Sequence, residues 1–142
     1  MRAILDPNVL VSALLSPTGT PARIVLAWAE GRFELVVSPE VLRELDEVLK
    51  RPKFRRWVSQ ADASEFVEAV AAAAPLVADP ADRPQVSSDP RDDYLVALAT
   101  AAGVDWVVSG DQHLTLLTDV QPRVASPMAF WALLEAERRE TE

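Results

Sequence analysis

Cysteine is absent, and histidine occurs once. The first absence excludes a disulfide framework, a thiolate metal site and a cysteine nucleophile. It suits a reducing cytoplasm, the expected location. Long apolar runs are also missing. The stretch from Phe66 to Ala78 is broken by Glu68 and Pro75, and no segment reaches the roughly 18 apolar residues of a membrane span. No basic-then-apolar leader is visible, so no membrane role is expected. Positive charge is scarce: 14 Lys and Arg stand against 22 Asp and Glu, a net charge of -8. Phosphate contacts need Lys and Arg, so such a chain is an awkward nucleic-acid binder. Its acidity points instead to carboxylates gathered around cations, or to a basic partner.

What is present is ample apolar material. Hydrophobic residues make up 49% of the 142, enough for a full core in one domain spanning 1–142. "RAIL" reads as a short buried strand, and "NVLVSALL" as a helix starting at Pro7. "SPTGTP" is a loop, "PARIVLAWAEGR" a helix ended by Gly31, and "FELVVS" a strand. Ser38 can cap a helix with Pro39 in its first turn, and Val41, Leu42, Leu45, Val48 and Leu49 give that helix one apolar face. "PKFRRWVS" predicts a short helix, and "ADASEFVEAVAAAA" a helix capped near Asp62 or Ser64. "PLVA" predicts an extended edge piece. "DDYLVALATAAG" is a helix closed by Gly103, and "VDWVVSG" a strand. "DQHLTLL" is a turn or short helix, "PRVAS" a last strand, and "SPMAFWALLEAERRE" a last helix.

Strands alternating with helices predict an α/β fold with a central parallel sheet covered on both faces. Ligands in such sheets bind beyond the carboxyl ends of the strands. Asp6 ends the first strand and Asp111 follows "VDWVVSG", so both belong to that edge.

Each acid also has a plainer reading. Asp6 can cap the helix that begins at Pro7. Glu44 borders an apolar face and competes with Glu40, Asp46 and Glu47. Asp92 and Asp93 open a helix, where acids complement the dipole. Two adjacent carboxylates also repel, which favours a bound cation. Asp89 belongs to the preceding loop and is the weaker candidate. Asp111 can be a turn residue, and Ser109 a turn hydroxyl or a partner to an acid. His113 reads as a solvated turn residue, and Trp28, Trp57, Trp106 and Trp131 as packing. Arg51, Lys53, Arg55 and Arg56 form the one basic cluster, either a solvated face or an RNA-phosphate contact. Oxygen-only ligands suit Mg²⁺ or Mn²⁺, which can activate water for phosphodiester cleavage with no His or Cys nucleophile.

The blocks "ILDPNVLVSALLSPTGTPARIV", "FELVVSPEVLRELDEVLKRPKF", "DPRDDYLVALATAAGVDWVVSGDQHLTLL" and "VASPMAFWALL" together resemble the PIN-domain family. Within it they are similar to the VapC-like toxin components of bacterial and archaeal toxin–antitoxin pairs. The resemblance implies a three-layer α/β/α sandwich and about four acids that hold Mg²⁺ or Mn²⁺ to cleave RNA. Carried over by motif, these are Asp6, Glu44, Asp93 and Asp111, with Asn8 and Ser109 in supporting polar positions. It further implies a cognate antitoxin and a homodimer. The first motif departs from the family's usual Asp-Thr-Asn: Pro7 replaces the threonine, removing a hydroxyl and a backbone N–H while still suiting a helix start.

The expected function is therefore a metal-dependent endoribonuclease, with a catalytically inactive PIN scaffold that binds RNA or a protein as the alternative. A haloacid-dehalogenase-like phosphatase would need a second Asp where Asn8 stands. A receiver domain would need a late lysine that "VVSGD" does not offer.

Overall fold

A computed structural model describes residues 1–85, 89–111, 114 and 123–142. The apolar "RAIL" forms β1 (Arg2–Leu5), and Pro7 then turns the chain into α1 (Pro7–Leu15). Proline belongs there: its missing N–H costs nothing in a first helical turn and its fixed φ suits the helix. Next come α2 (Thr20–Ala29), β2 (Glu34–Leu35) and α3 (Pro39–Leu49), followed by a 3-10 turn at Pro52–Phe54. The second half holds α4 (Gln60–Ala73), α5 (Pro90–Ala102), β3 (Trp106–Val108), β4 (Arg123–Ala125) and α6 (Pro127–Thr141).

The strands form one parallel sheet in the order β2-β1-β3-β4. β1 pairs with β2 on one side and with β3 on the other, where Leu5 opposes Val108. The chain thus leaves β1 toward one edge and returns on the opposite side. That reversal between β1 and β3 opens a crevice at their carboxyl ends. The result is the expected α/β/α sandwich. Helices α6, α2, α1, α3 and α4 touch in that succession, while α5 lies against β1 and β3. Ile4, Leu10, Ile24, Leu35, Leu45 and Leu98 fill the core, and Phe33 meets Phe130 edge-to-face at 5.1 Å. Among the described residues no single helix is long and apolar enough to cross a membrane.

Ser38 and Ser126 cap α3 and α6 as expected, accepting from the N–H of Val41 and Ala129. Other boundaries differ. Ser59, not Asp62 or Ser64, caps α4 by accepting from the Asp62 N–H at 3.0 Å. A capping side chain must precede the first helical residue, and Ser59 does. Helix α5 starts at Pro90, ahead of the expected "DDYLVALATAAG", and Asp89 caps it. Only two residues of "FELVVS" pair as a strand; Val37 then makes a single parallel bridge to Leu76 in place of a "PLVA" strand. Most of "DQHLTLL", including His113, lies outside the described residues.

Candidate active site

The register that pairs Leu5 with Val108 carries one residue further. The Asp6 N–H donates to the Val108 carbonyl at 2.9 Å, bringing Asp6 beside Ser109 at the crevice. Both are buried, Asp6 4% exposed and Ser109 0%. A buried carboxylate needs donors, and Asp6 has three. Its Oδ1 accepts from the Asn8 N–H at 3.0 Å and from Arg91 Nη2 at 2.8 Å; its Oδ2 accepts from the Ser109 hydroxyl at 3.0 Å. Asp6 is therefore both a helix cap and a crevice residue. The Asn8 contact runs through its backbone N–H, which any residue but proline could supply. Ser109 also accepts from the Asp111 N–H at 3.1 Å, tying the β3–Asp111 turn to Asp6.

Glu44 comes from the middle of α3, half-buried at the border of its apolar face. Arg91 Nε lies 3.0 Å from Glu44 Oε1, so a single guanidinium joins Glu44 to Asp6. Burial pushes the Glu44 pKa above its ordinary value; Arg91 pulls it back, and the Asp6 charge pushes it up again.

A second carboxylate group adjoins the first. Asp89, Asp92 and Asp111 each offer an oxygen, and these atoms all lie within 4.8 Å of one another. Asp89 also accepts from the Arg91 N–H at 2.9 Å, which connects this group to the Asp6–Arg91–Glu44 bridge. The resemblance selects Asp93 from the adjacent pair; the group itself holds Asp92, while Asp93, like Asp6 and Glu44, is not one of its three members. With Asp89 at the cap, Asp92 is the third helical residue, and Asp93 points about 100° further round the helix. Both are buried, Asp92 2% and Asp93 8% exposed. Asp89, set aside in the sequence as a loop residue, joins the group through the same boundary.

A hydrogen-bonded network pins α3 to α5 and so holds Glu44 opposite Arg91. The Ser38 hydroxyl meets the Tyr94 hydroxyl, which donates to Asp79 Oδ1 at 2.6 Å. Asp79 Oδ2 accepts from the Glu40 N–H at 3.1 Å. Burial, then the bond to Asp79, raise the Tyr94 pKa well above its usual value. Burial acts to raise Asp79, but the donors Tyr94, Ser38 and the Glu40 N–H, with Arg83, outweigh it and hold its pKa low.

The donor set fits a divalent ion. It is made of carboxylate oxygens alone, as hard cations prefer, and three of them are close enough to share one ion. Several like charges in one crevice also favour a cation among them. A cavity of about 710 Å³ lies at the other end of the strands, lined by Met1, Asp105, Trp106 and Arg123. Among the described residues no comparable gathering of acids is present there. A smaller groove of about 350 Å³ reaches the acidic crevice, with Glu44 and Arg91 in its wall and Arg43, Arg51 and Arg83 along it.

Comparison with known proteins agrees with this architecture. The chain is 24% identical over 119 residues to an uncharacterised protein of Methanocaldococcus jannaschii, covering 84% of this chain and 76% of that one. PAE2754 from Pyrobaculum aerophilum superposes with a TM-score of 0.63 at 15% identity, covering 96% of this chain and 90% of that one. VapBC2 from Rickettsia felis, bound to a DNA fragment from their promoter, gives 0.61 at 12% identity, with 89% and 98% covered. FitAcB from Neisseria gonorrhoeae gives 0.51 at 20% identity, with the same coverages. At these identities the superpositions speak to the fold alone. The model of the PIN domain matches residues 2–113, which include every acid of the crevice, and the chain belongs to the PIN-domain family.

Proposed function

We propose that the chain is a metal-dependent endoribonuclease, acting as the toxin of a toxin–antitoxin pair. The observation that supports this reading is a group of three carboxylates, Asp89, Asp92 and Asp111, linked through Ser109 and Arg91 to the Asp6–Arg91–Glu44 bridge. Asp6, Glu44, Asp111 and one of Asp92 or Asp93 would hold Mg²⁺ or Mn²⁺, and the grouping with Asp111 favours Asp92. When bound, such an ion supplies positive charge against a phosphodiester and lowers the pKa of a coordinated water.

The chain's own residues prepare that chemistry. Ser109 and the Asn8 N–H fix both oxygens of Asp6, so the carboxylate does not have to reorganise. Glu44 stands opposite Asp6 across Arg91, and burial raises its pKa above the ordinary glutamate value. Arg43, Arg51, Arg83 and Arg91 line the groove that reaches the crevice, beside Glu40, Glu44 and Glu47. Arg43 and Arg83 pair with Glu47 and Glu40 at 2.9 and 2.6 Å, so they would meet a phosphate by leaving those partners. A cognate antitoxin would cover the crevice with a basic residue, and the chain would act as a cytoplasmic homodimer.

The test incubates the purified protein with a panel of single-stranded RNAs, with Mn²⁺ or with EDTA, beside Asp6→Asn and Asp92→Asn. Attack by water predicts 5′-phosphate and 3′-hydroxyl ends, with cleavage lost on chelation and in both variants. Cleavage that survives chelation, or 2′,3′-cyclic phosphate ends, overturns the reading. A second reading, an inactive PIN scaffold, draws on Arg91, whose guanidinium already neutralises two of the acids. RNA binding with neither cleavage nor Mn²⁺ binding would favour it.

A further inference from the structure

We propose that the Arg91 guanidinium is a built-in counter-cation that competes with a divalent ion for Asp6 and Glu44, so that ion binding is coupled to release of Arg91. The proposal rests on the reading of those two acids as metal ligands.

Arg91 is the second residue of α5, inside the first turn. A cation there opposes the helix dipole, which favours negative charge at that end. Its placement is explained by what it reaches. Nη2 is 2.8 Å from Asp6 Oδ1, and Nε is 3.0 Å from Glu44 Oε1. The two acid side chains are 6% and 24% exposed, so their charges are largely withdrawn from water and need a positive partner. Arg91 itself is 43% exposed and sits at the mouth of the crevice. It can therefore swing into solvent without leaving its own charge buried.

Lone pairs make the competition explicit. A carboxylate offers about four acceptor positions. On Asp6, Asn8 and Arg91 take Oδ1, and Ser109 takes one position on Oδ2. An ion that engages Oδ1 must displace the guanidinium. An ion confined to the remaining Oδ2 position stays within repulsive range of it. Binding at Glu44 Oε1 meets the same obstacle. Apparent affinity falls by the fraction of molecules in which the ligands are free. If Arg91 holds the acids in about nine molecules of ten, its removal tightens ion binding roughly tenfold. Once released, the guanidinium remains tethered beside Arg83 and Arg51 on the groove wall.

The experiment is calorimetric titration with Mn²⁺ of the wild type, Arg91→Gln, Arg91→Lys and Asp6→Asn, with thermal melts of each with and without Mn²⁺. Arg91→Gln is expected to bind Mn²⁺ tenfold or more tightly than the wild type. Its Tm should be lower without the ion and should rise further when the ion is added. Arg91→Lys, which keeps the charge but cannot bridge two acids with a planar fork, should lie between them. If Arg91→Gln does not melt cooperatively, Arg91→Lys carries the test by binding a few-fold more tightly. Suppose the wild type binds Mn²⁺, Asp6→Asn weakens it, and both Arg91 variants bind equally or less well. The proposal then fails while the metal reading stands. Absence of binding in the wild type and all variants overturns both.

Discussion

Ser109 stands beside Asp6 because the parallel register of β1 and β3 sets Leu5 opposite Val108, and its hydroxyl donates to Asp6 Oδ2 at 3.0 Å. Ser109 Oγ in turn accepts from the Asp111 N–H, so one buried side chain positions two acids. Ser109→Ala should cost about 1–3 kcal/mol, because it withdraws a donor from a buried charge and an acceptor from a backbone N–H. Urea unfolding would measure this. Ser109→Thr keeps the hydroxyl and is expected to retain more Mn²⁺ affinity than the alanine variant does.

Asp92 and Asp93 separate the two assignments of the third acid. Asp92→Asn is expected to weaken Mn²⁺ binding by an order of magnitude or more, since a charged ligand beside Asp89 and Asp111 is lost. Asp93→Asn should change it only a few-fold. Parallel calorimetry on the two variants checks the order. The reverse order would place the ion on the other side of the first turn of α5.

Tyr94 gives a pH signature. It is the only tyrosine in the chain, so tyrosinate absorbance reports it alone. Its pKa is raised by burial and by the bond to Asp79. A raised pKa means the stabilisation is fully present below the unfolded value, near 10, and is lost as pH rises toward the folded value. Asp79, held low, contributes in the opposite direction: its stabilisation is present above the unfolded carboxylate range and lost as pH falls. Native protein should therefore show no tyrosinate signal near pH 10, and its urea midpoint should drop from there upward. Tyr94→Phe should abolish the alkaline drop attributable to this group and cost about 1–3 kcal/mol at neutral pH by leaving Asp79 short of a donor.

Pro7→Thr restores the family's usual first motif. Asp6 already has donors on both oxygens, from Asn8, Arg91 and Ser109, so the missing threonine hydroxyl leaves no gap in its support. The variant should bind Mn²⁺ within about threefold of the wild type. It should also lose roughly 0.4–1 kcal/mol of stability, because proline restricts the unfolded chain at a position whose helical φ it already matches.

The sequence was most legible where causes are local. Ser38-Pro39 and Ser126-Pro127 announce helix starts because a cap acts across three residues, and both helices begin there. Asp89-Pro90 is the same signal with a different capping side chain. Read that way, it moves the start of α5 back and places Asp89 and Asp92 together with Asp111. The alternation of strands and helices also disclosed the parallel sheet and the edge on which Asp6 and Asp111 lie. Arg91 could not be found by such rules. A cation in a first helical turn was the only hint, and its meaning depends on Asp6 and Glu44, which arrive from distant parts of the chain. The early end of β2 was hidden for a similar reason: Val37 is diverted by a bridge to Leu76.

The separation of 103 residues between Asp6 and Ser109 has a consequence for the birth of the protein. Asp6 leaves the ribosome 103 residues ahead of Ser109, with Glu44 and Arg91 between them. Contacts this distant form late, after long loops have closed. A nascent chain, or a fragment stopped before β3, carries the first acid but none of its β3-side support. Whatever work the crevice does is withheld until β3 has been made.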